Sequence, residues 1–351
     1  MATFEKFNVQ EALGFSAIAS VSDSDVWSHL LTPLVRALLG NIKVRGKPVL
    51  TETLAGAFPG DEASNLNDHQ LYGKPGFVRF PYLNTVHVTD HGVLVIKRDR
   101  LKLKVICWFG DPFKGKGEII YKVALRDRRF DGTKITNDCA LLEFPQDDPI
   151  GNSPLPYGRG LENTAYAFLP GSRISEDKTH IEFEEFVGGP FSFMDRPELF
   201  LKHFRHAWDS GRSPGQIGKP IPDVSRYLLP GFDRIARNCG YDFVEGAVSH
   251  YHVVMWELNY GYRLTYQKDV DTIAAFSAGI KRLRESGLKL TRPQESWLCV
   301  IQNLRPIELI PKHLYLGGPV WPQTNLDQRN LWINHPLNEK AKLALPTPLA
   351  G

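Results

Sequence analysis

Thr85-Val86-His87-Val88-Thr89-Asp90-His91-Gly92-Val93-Leu94-Val95-Ile96 reads as two strands joined by a tight turn. Alternation reaches back to Phe77: Val78, Phe80, Tyr82, Val86 and Val88 share one face, and Arg79, Thr85 and His87 share the other. Thr89-Asp90-His91-Gly92 supplies the polar, glycine-ended turn of a hairpin. Further short strands are expected at Lys102 to Phe109, Glu118 to Leu125, Cys139 to Phe144, Thr164 to Leu169 and His180 to Phe186. Gly, Pro and Asp punctuate them, which points to a largely antiparallel, curled sheet of barrel or sandwich type.

Helices flank that region. Ser22, Asp23 and Ser24 offer N-caps for a helix to Leu39, with Val26, Leu30, Leu34 and Leu38 on one stripe and Pro33 as a kink. Asp195 and Pro197 open a second helix that ends near Gly211. Residues 211–222 are rich in Gly and Pro and read as a loop, after which Val224 to Cys239 is helical with a break at Pro230-Gly231. Tyr241 to Tyr266 reads as a long strand bent near Asn259 to Gly261. Asp269 or Asp271 caps a helix stopped by Gly287, and Trp297 to Leu304 reads as a final strand. The fold class expected is therefore α+β, with a mixed helix and strand layer in the second half. Four regions follow: an N-terminal helical segment (1–42), a β-rich region (43–190), an α+β region (191–304) and a proline-rich wrapping tail (305–351).

Composition narrows the function. The 351 residues carry 42 Lys and Arg against 39 Asp and Glu, a net charge of +3, with 42% hydrophobic and 23% charged residues. That balance excludes a disordered chain and a nucleic-acid binder relying on bulk charge. Cys107, Cys139, Cys239 and Cys299 lie far apart and read as buried thiols rather than a zinc knuckle or disulfide framework. No apolar run reaches membrane-spanning length and Met1 to Gln10 lacks a signal-peptide core, so a cytoplasmic location is expected. There is no Walker spacing, no G-x-G-x-x-G after a strand and no G-x-S-x-G elbow, so no cofactor is expected.

Chemistry concentrates in Ser249-His250-Tyr251-His252-Val253-Val254-Met255-Trp256-Glu257. On a strand, His250 and His252 point to one side together with Val248, Val254, Trp256 and Leu258, a face apolar enough to turn inward. Inward histidines serve as acid or base near neutrality. The spacing His-x-His-x4-Glu, from His250 to Glu257, resembles part of the first cupin motif, and the resemblance implies that these side chains hold a metal. The family's flanking glycine spacing is absent, and no second motif with a third histidine follows. On a regular strand Glu257 faces away from both histidines and joins them only across a bulge. Two imidazoles fall short of the three protein ligands usual for a catalytic ion. Glu257, His313 and Glu245 are the candidates for the third, and metal binding ranks below metal-free acid/base work. The competing structural reading is a buried histidine pair hydrogen-bonded to its neighbours.

Two other histidine pairs rank lower. His203 and His206, on an expected helix beside Lys202 and Arg205, read as an exposed face; His87 and His91 flank the hairpin turn in solvent. Aromatic residues gather near the favoured stretch, and Tyr251, Trp256, Tyr260, Tyr262 and Arg263 are the expected substrate-binding set. The function expected is a small-molecule enzyme acting on an apolar or aromatic organic substrate in a buried pocket, with His250, His252 and Glu257 as catalytic residues. Its alternatives are a non-catalytic protein that binds a hydrophobic ligand and a metal-dependent enzyme using His250 and His252. The partner is a small molecule, with no nucleic acid and no membrane span.

Overall fold

A computed structural model describes residues 17–32, 34, 44–51, 83–89, 91–98, 102–110, 117–127, 160–172, 181–216, 218–221, 224–322 and 331–346. The chain is α+β and divides into two compact units. The first comprises Met1–Gly171, Pro220–Glu245 and Pro336–Lys342; the second comprises Ser172–Lys219, Gly246–His335 and Leu343–Gly351.

The first unit is built on consecutive strands β1 (Val44–Thr51), β2 (Leu83–Thr89), β3 (Gly92–Arg98), β4 (Lys102–Phe109), β5 (Glu118–Asp127) and β6 (Gly160–Ala167). Each pairs antiparallel with the next. The expected hairpin is present in register, with Val88 opposite Val93 and Thr85 opposite Ile96. β3, β4 and β5 are buried on both faces. One face carries the buried cluster Val93, Val95, Ile106, Trp108 and Ile119. The other carries Leu94, Ile96, Val105, Cys107, Tyr121 and Val123, and there the Tyr121 hydroxyl donates to the Leu30 carbonyl at 3.3 Å. Two-sided burial explains the unbroken apolar run Val93 to Ile96.

Strand order is linear from the β1 edge, so the sheet is open, and with its later strands it is mixed. This corrects the barrel expectation: neighbour pairing alone does not tell whether the first and last strands of a meander meet.

The N-terminal helix α1 (Asp23–Val26) begins as expected, with Ser22 Oγ accepting from the Asp25 N–H at 3.1 Å. It continues as a π-helical turn over Trp27–Leu31. In the second unit, Ile181–Gly188 is a helix, α2, and not the expected strand; Glu182 and Glu184 sit in its first turn, where the helix dipole favours acid. α3 (Pro197–Ser210) matches expectation, with proline in its first turn and Gly211 closing it at φ +71°. His203 corrects the exposed-face reading of this helix. It is buried, 3.2 Å from Glu182 Oε2, and its ring lies among Phe183, Phe186 and Phe193. His206 is exposed, its ring edge-on to Phe183.

α4 (Val224–Asn238), in the first unit, runs through Pro230 without the expected break. A side chain at Gly231 would place its Cβ 2.1 Å from the His29 carbonyl oxygen, so only glycine permits this helix to approach the π turn.

Tyr241 to Tyr266 is not one long strand. It holds β7 (Phe243–Val248), helix α5 (Tyr251–Leu258) and the two-residue β8 (Arg263–Leu264). α6 (Gln267–Glu285) starts two residues before Asp269, with Tyr266 as its N-cap. Trp297 to Ile301 belongs to helix α7 (Arg292–Ile301), correcting the expected strand. A capping box opens α7: Thr291 Oγ1 accepts from the Gln294 N–H at 3.4 Å, and Gln294 Oε1 accepts from the Thr291 N–H at 3.0 Å. The tail holds β9 (Leu331–Pro336), antiparallel to β8, and the short helix α8 (Glu339–Leu343). Among the described residues no helix is long and apolar enough to cross a membrane. The expected strand at Cys139 to Phe144 lies outside the described residues.

Candidate functional site

His252 lies in the first turn of α5 and His250 caps that helix, so the pair stands at a helix start and not along a strand. His250 is the N-cap, in an extended conformation (φ −137°, ψ 148°), and its carbonyl accepts from the Val253 and Val254 N–H groups at 3.0 and 3.1 Å. β-Branched and aromatic residues fill this segment and mislead a propensity reading. Packing decides instead: the helix lies against α7, with Tyr251 and Val254 buried three residues apart on one face.

The His250 and His252 rings are nearly parallel, with centroids 6.0 Å apart and planes at 9°. Phe191 lies on the other side of His250 at 6.2 Å and 6°. Only 6% of His250 is exposed. Its ring edge is closed by Gly215, at φ +79°, where a Cβ would stand 2.6 Å from His250 Cδ2 and 2.7 Å from Nε2. The glycine loop is held from several sides. Arg212 donates to Glu184 Oε1 at 2.6 Å and to the Gln216 carbonyl at 2.8 Å. Trp297 Nε1 donates to the Arg212 carbonyl at 2.7 Å, and the Gly215 N–H donates to the Val187 carbonyl at 2.6 Å.

His252 is half-buried, with Nδ1 2.9 Å from Oγ of Ser296, a fully buried residue of α7. Burial lowers His250 to about 3, reinforced by the neighbouring His252 charge, and lowers His252 to about 4. Both imidazoles are therefore neutral at neutral pH. Burial acts on Glu257 in the opposite sense and raises its carboxyl to about 7. Among the described residues, Glu257 Oε2 and His250 Nδ1 are buried without a hydrogen-bond partner.

Glu257 does not complete a triad. Five residues along a helix turn it about 140° from His252. Among the described residues no hydrogen bond joins Glu257 to either histidine, and no group of three His, Cys, Asp or Glu side chains converges as a metal site. The cupin-like spacing thus falls on a helix, where His252 and Glu257 point in different directions. Of the other proposed third ligands, His313 sits in a short 3-10 turn (Lys312–Leu314), and Glu245 belongs to the first unit, packed against Gly160.

The expected substrate-binding residues occupy separate places. The Tyr251 hydroxyl lies 2.9 Å from Ser277 Oγ, and its ring meets Trp321 edge-on at 6.4 Å. Trp256 and Tyr260 form a second edge contact at 5.7 Å, and Tyr260 is 42% exposed. Tyr262 is buried and stacks on His335 at 4.9 Å, while Arg263 on β8 stands opposite Asn334. Sequence reasoning missed Ser296, Gly215 and Phe191. The capping box ahead of Ser296 marked a helix there; nothing local to Gly215 or Phe191 pointed to His250. Compared with family models, curated proteins and solved structures, the chain matches none.

Proposed function

We propose that the second unit is an enzyme acting on a small organic molecule, with acid/base chemistry centred on α5. The observation that carries this reading is the grouping of burial-shifted ionisable side chains on one eight-residue helix and its cap. His250 and His252 are displaced down and Glu257 up, toward neutrality. Burial-shifted titratable groups cluster at functional sites. The roles differ from a histidine base. Glu257, titrating near 7, is the proton-transfer group, because a catalytic pKa works best near the operating pH. The imidazoles remain uncharged; the half-buried His252 is the polar contact to the substrate, and the enclosed His250 packs behind it. The apolar or aromatic character of the substrate is supported by the half-buried Trp256 beside Tyr260 on the same stretch.

The test is a comparison of wild type, His252→Gln and Glu257→Gln, each incubated with a small-molecule cell extract and followed by mass spectrometry. At least one compound should be converted by wild type and spared by both folded variants. Identical conversion profiles for all three would refute the α5 site.

A further inference from the structure

Ser296 fixes more than the position of His252. Its Oγ meets two groups of that residue: the backbone N–H at 3.5 Å and ring Nδ1 at 2.9 Å. A serine hydroxyl has one proton to give and two lone pairs to offer. The backbone N–H can only donate, so it takes a lone pair. The hydroxyl proton still needs an acceptor, because a buried hydroxyl left without one pays its desolvation unrecovered. Ser210 and Ser286 discharge theirs onto carbonyls three residues back, at 3.0 and 2.8 Å. Ser296 makes no such bond among the described residues, which leaves His252 Nδ1 as the acceptor. A neutral imidazole that accepts at Nδ1 carries its proton on Nε2.

We infer that Ser296 holds His252 as the Nε2–H tautomer, making His252 a hydrogen-bond donor to an acceptor atom of the substrate and not a base. The inference rests on the proposed α5 site and specifies its substrate class: an organic molecule that offers a hydrogen-bond acceptor. A base would need a free lone pair at Nε2, hence a proton on Nδ1 directed at Ser296, and the Ser296 hydroxyl would lose its acceptor. A neutral Nε2–H on the half-buried His252 can stabilise negative charge developing on an acceptor atom without a proton changing hands. Ser296 is thus a positioning residue, acting through His252.

Long-range 1H–15N correlation spectra of the full 15N-labelled chain at pH 7, assigned with His252→Gln, read the tautomer directly. Wild type should show a protonated Nε2 and an unprotonated Nδ1 for His252. Ser296→Ala should shift this ring toward the other tautomer; Ser296→Cys, which keeps the shape with a poorer donor, serves if the alanine variant fails to fold. Acetophenone, an acceptor without a donor, should move the Nε2 resonance, and benzylamine should not. An Nδ1–H ring in wild type, an unchanged tautomer in the folded variant, or a response to benzylamine and not to acetophenone would overturn the inference. Failure of the α5 site itself appears elsewhere, as unaltered conversion by Glu257→Gln alongside an intact Nε2–H spectrum.

Discussion

Gly215 stands so close to His250 that a methyl group on its Cα would reach to within 2.6 Å of imidazole Cδ2. The loop from Gly211 to Gln216 is therefore a fitted wall, and the positive φ of Gly215 excludes other residues a second time. Gly215→Ala should destabilise the chain by about 1–3 kcal/mol through overpacking and backbone strain. Urea denaturation measures it. If His250 is the obstacle, His250→Ala should recover part of the loss in the double variant; strictly additive losses would show that the two residues do not meet.

The shifted groups on α5 set a pH dependence with a definite sign. Each histidine binds fewer protons folded than unfolded between its lowered folded value and its ordinary 6.5. Their contribution is complete above 6.5 and is lost as pH falls toward 3–4. Glu257, raised from 4.5 to about 7, works the other way: its contribution is complete below 4.5 and is lost as pH rises through 7. In the window between 4.5 and 6.5 two histidines outweigh one carboxyl, so their joint contribution climbs with pH and crests near neutrality. Denaturation midpoints across pH 4–8 should show that Glu257→Gln removes a declining component above pH 6.5. An unchanged alkaline limb would mean that Glu257 titrates as an ordinary carboxyl.

α7 presents Ser296, and its start is fixed by the Thr291–Gln294 capping box. Thr291→Ala should cost about 1 kcal/mol, read as a lower melting temperature. It should leave the His252 tautomer in place, because α7 is also anchored by the buried run Trp297 to Ile301. A destabilised chain with an altered His252 spectrum would instead tie the cap to the site.

Much of the fold was legible in the sequence where local chemistry dictates structure. Ser22 ahead of Asp25, and Pro197 and Gly211 at the two ends of α3, each place an element boundary through a bond or torsion made within a few residues. The candidate site was legible in part. His250 and His252 do lie together, but at the start of a helix and not along a strand, because the strand-prone run Tyr251 to Leu258 is helical and packs against α7. Trp297 to Ile301 misled in the same way: five consecutive buried residues have no period that separates a buried strand from a buried helix. The residues that define the histidines' surroundings, Ser296, Gly215 and Phe191, reach them from 35 to 59 positions away. No local pattern encodes such contacts.

The charge state of the two histidines is the most direct test of an α5 site built on neutral imidazoles. Carbon-bound proton resonances of His250 and His252, assigned by single substitution, should be followed from pH 8 to the acid limit of the folded chain. Both should stay flat through pH 6.5 and remain in the neutral form at pH 5.5. Inflection of either ring near 6.5 would mean that burial does not govern it, and the neutral-donor site would fall.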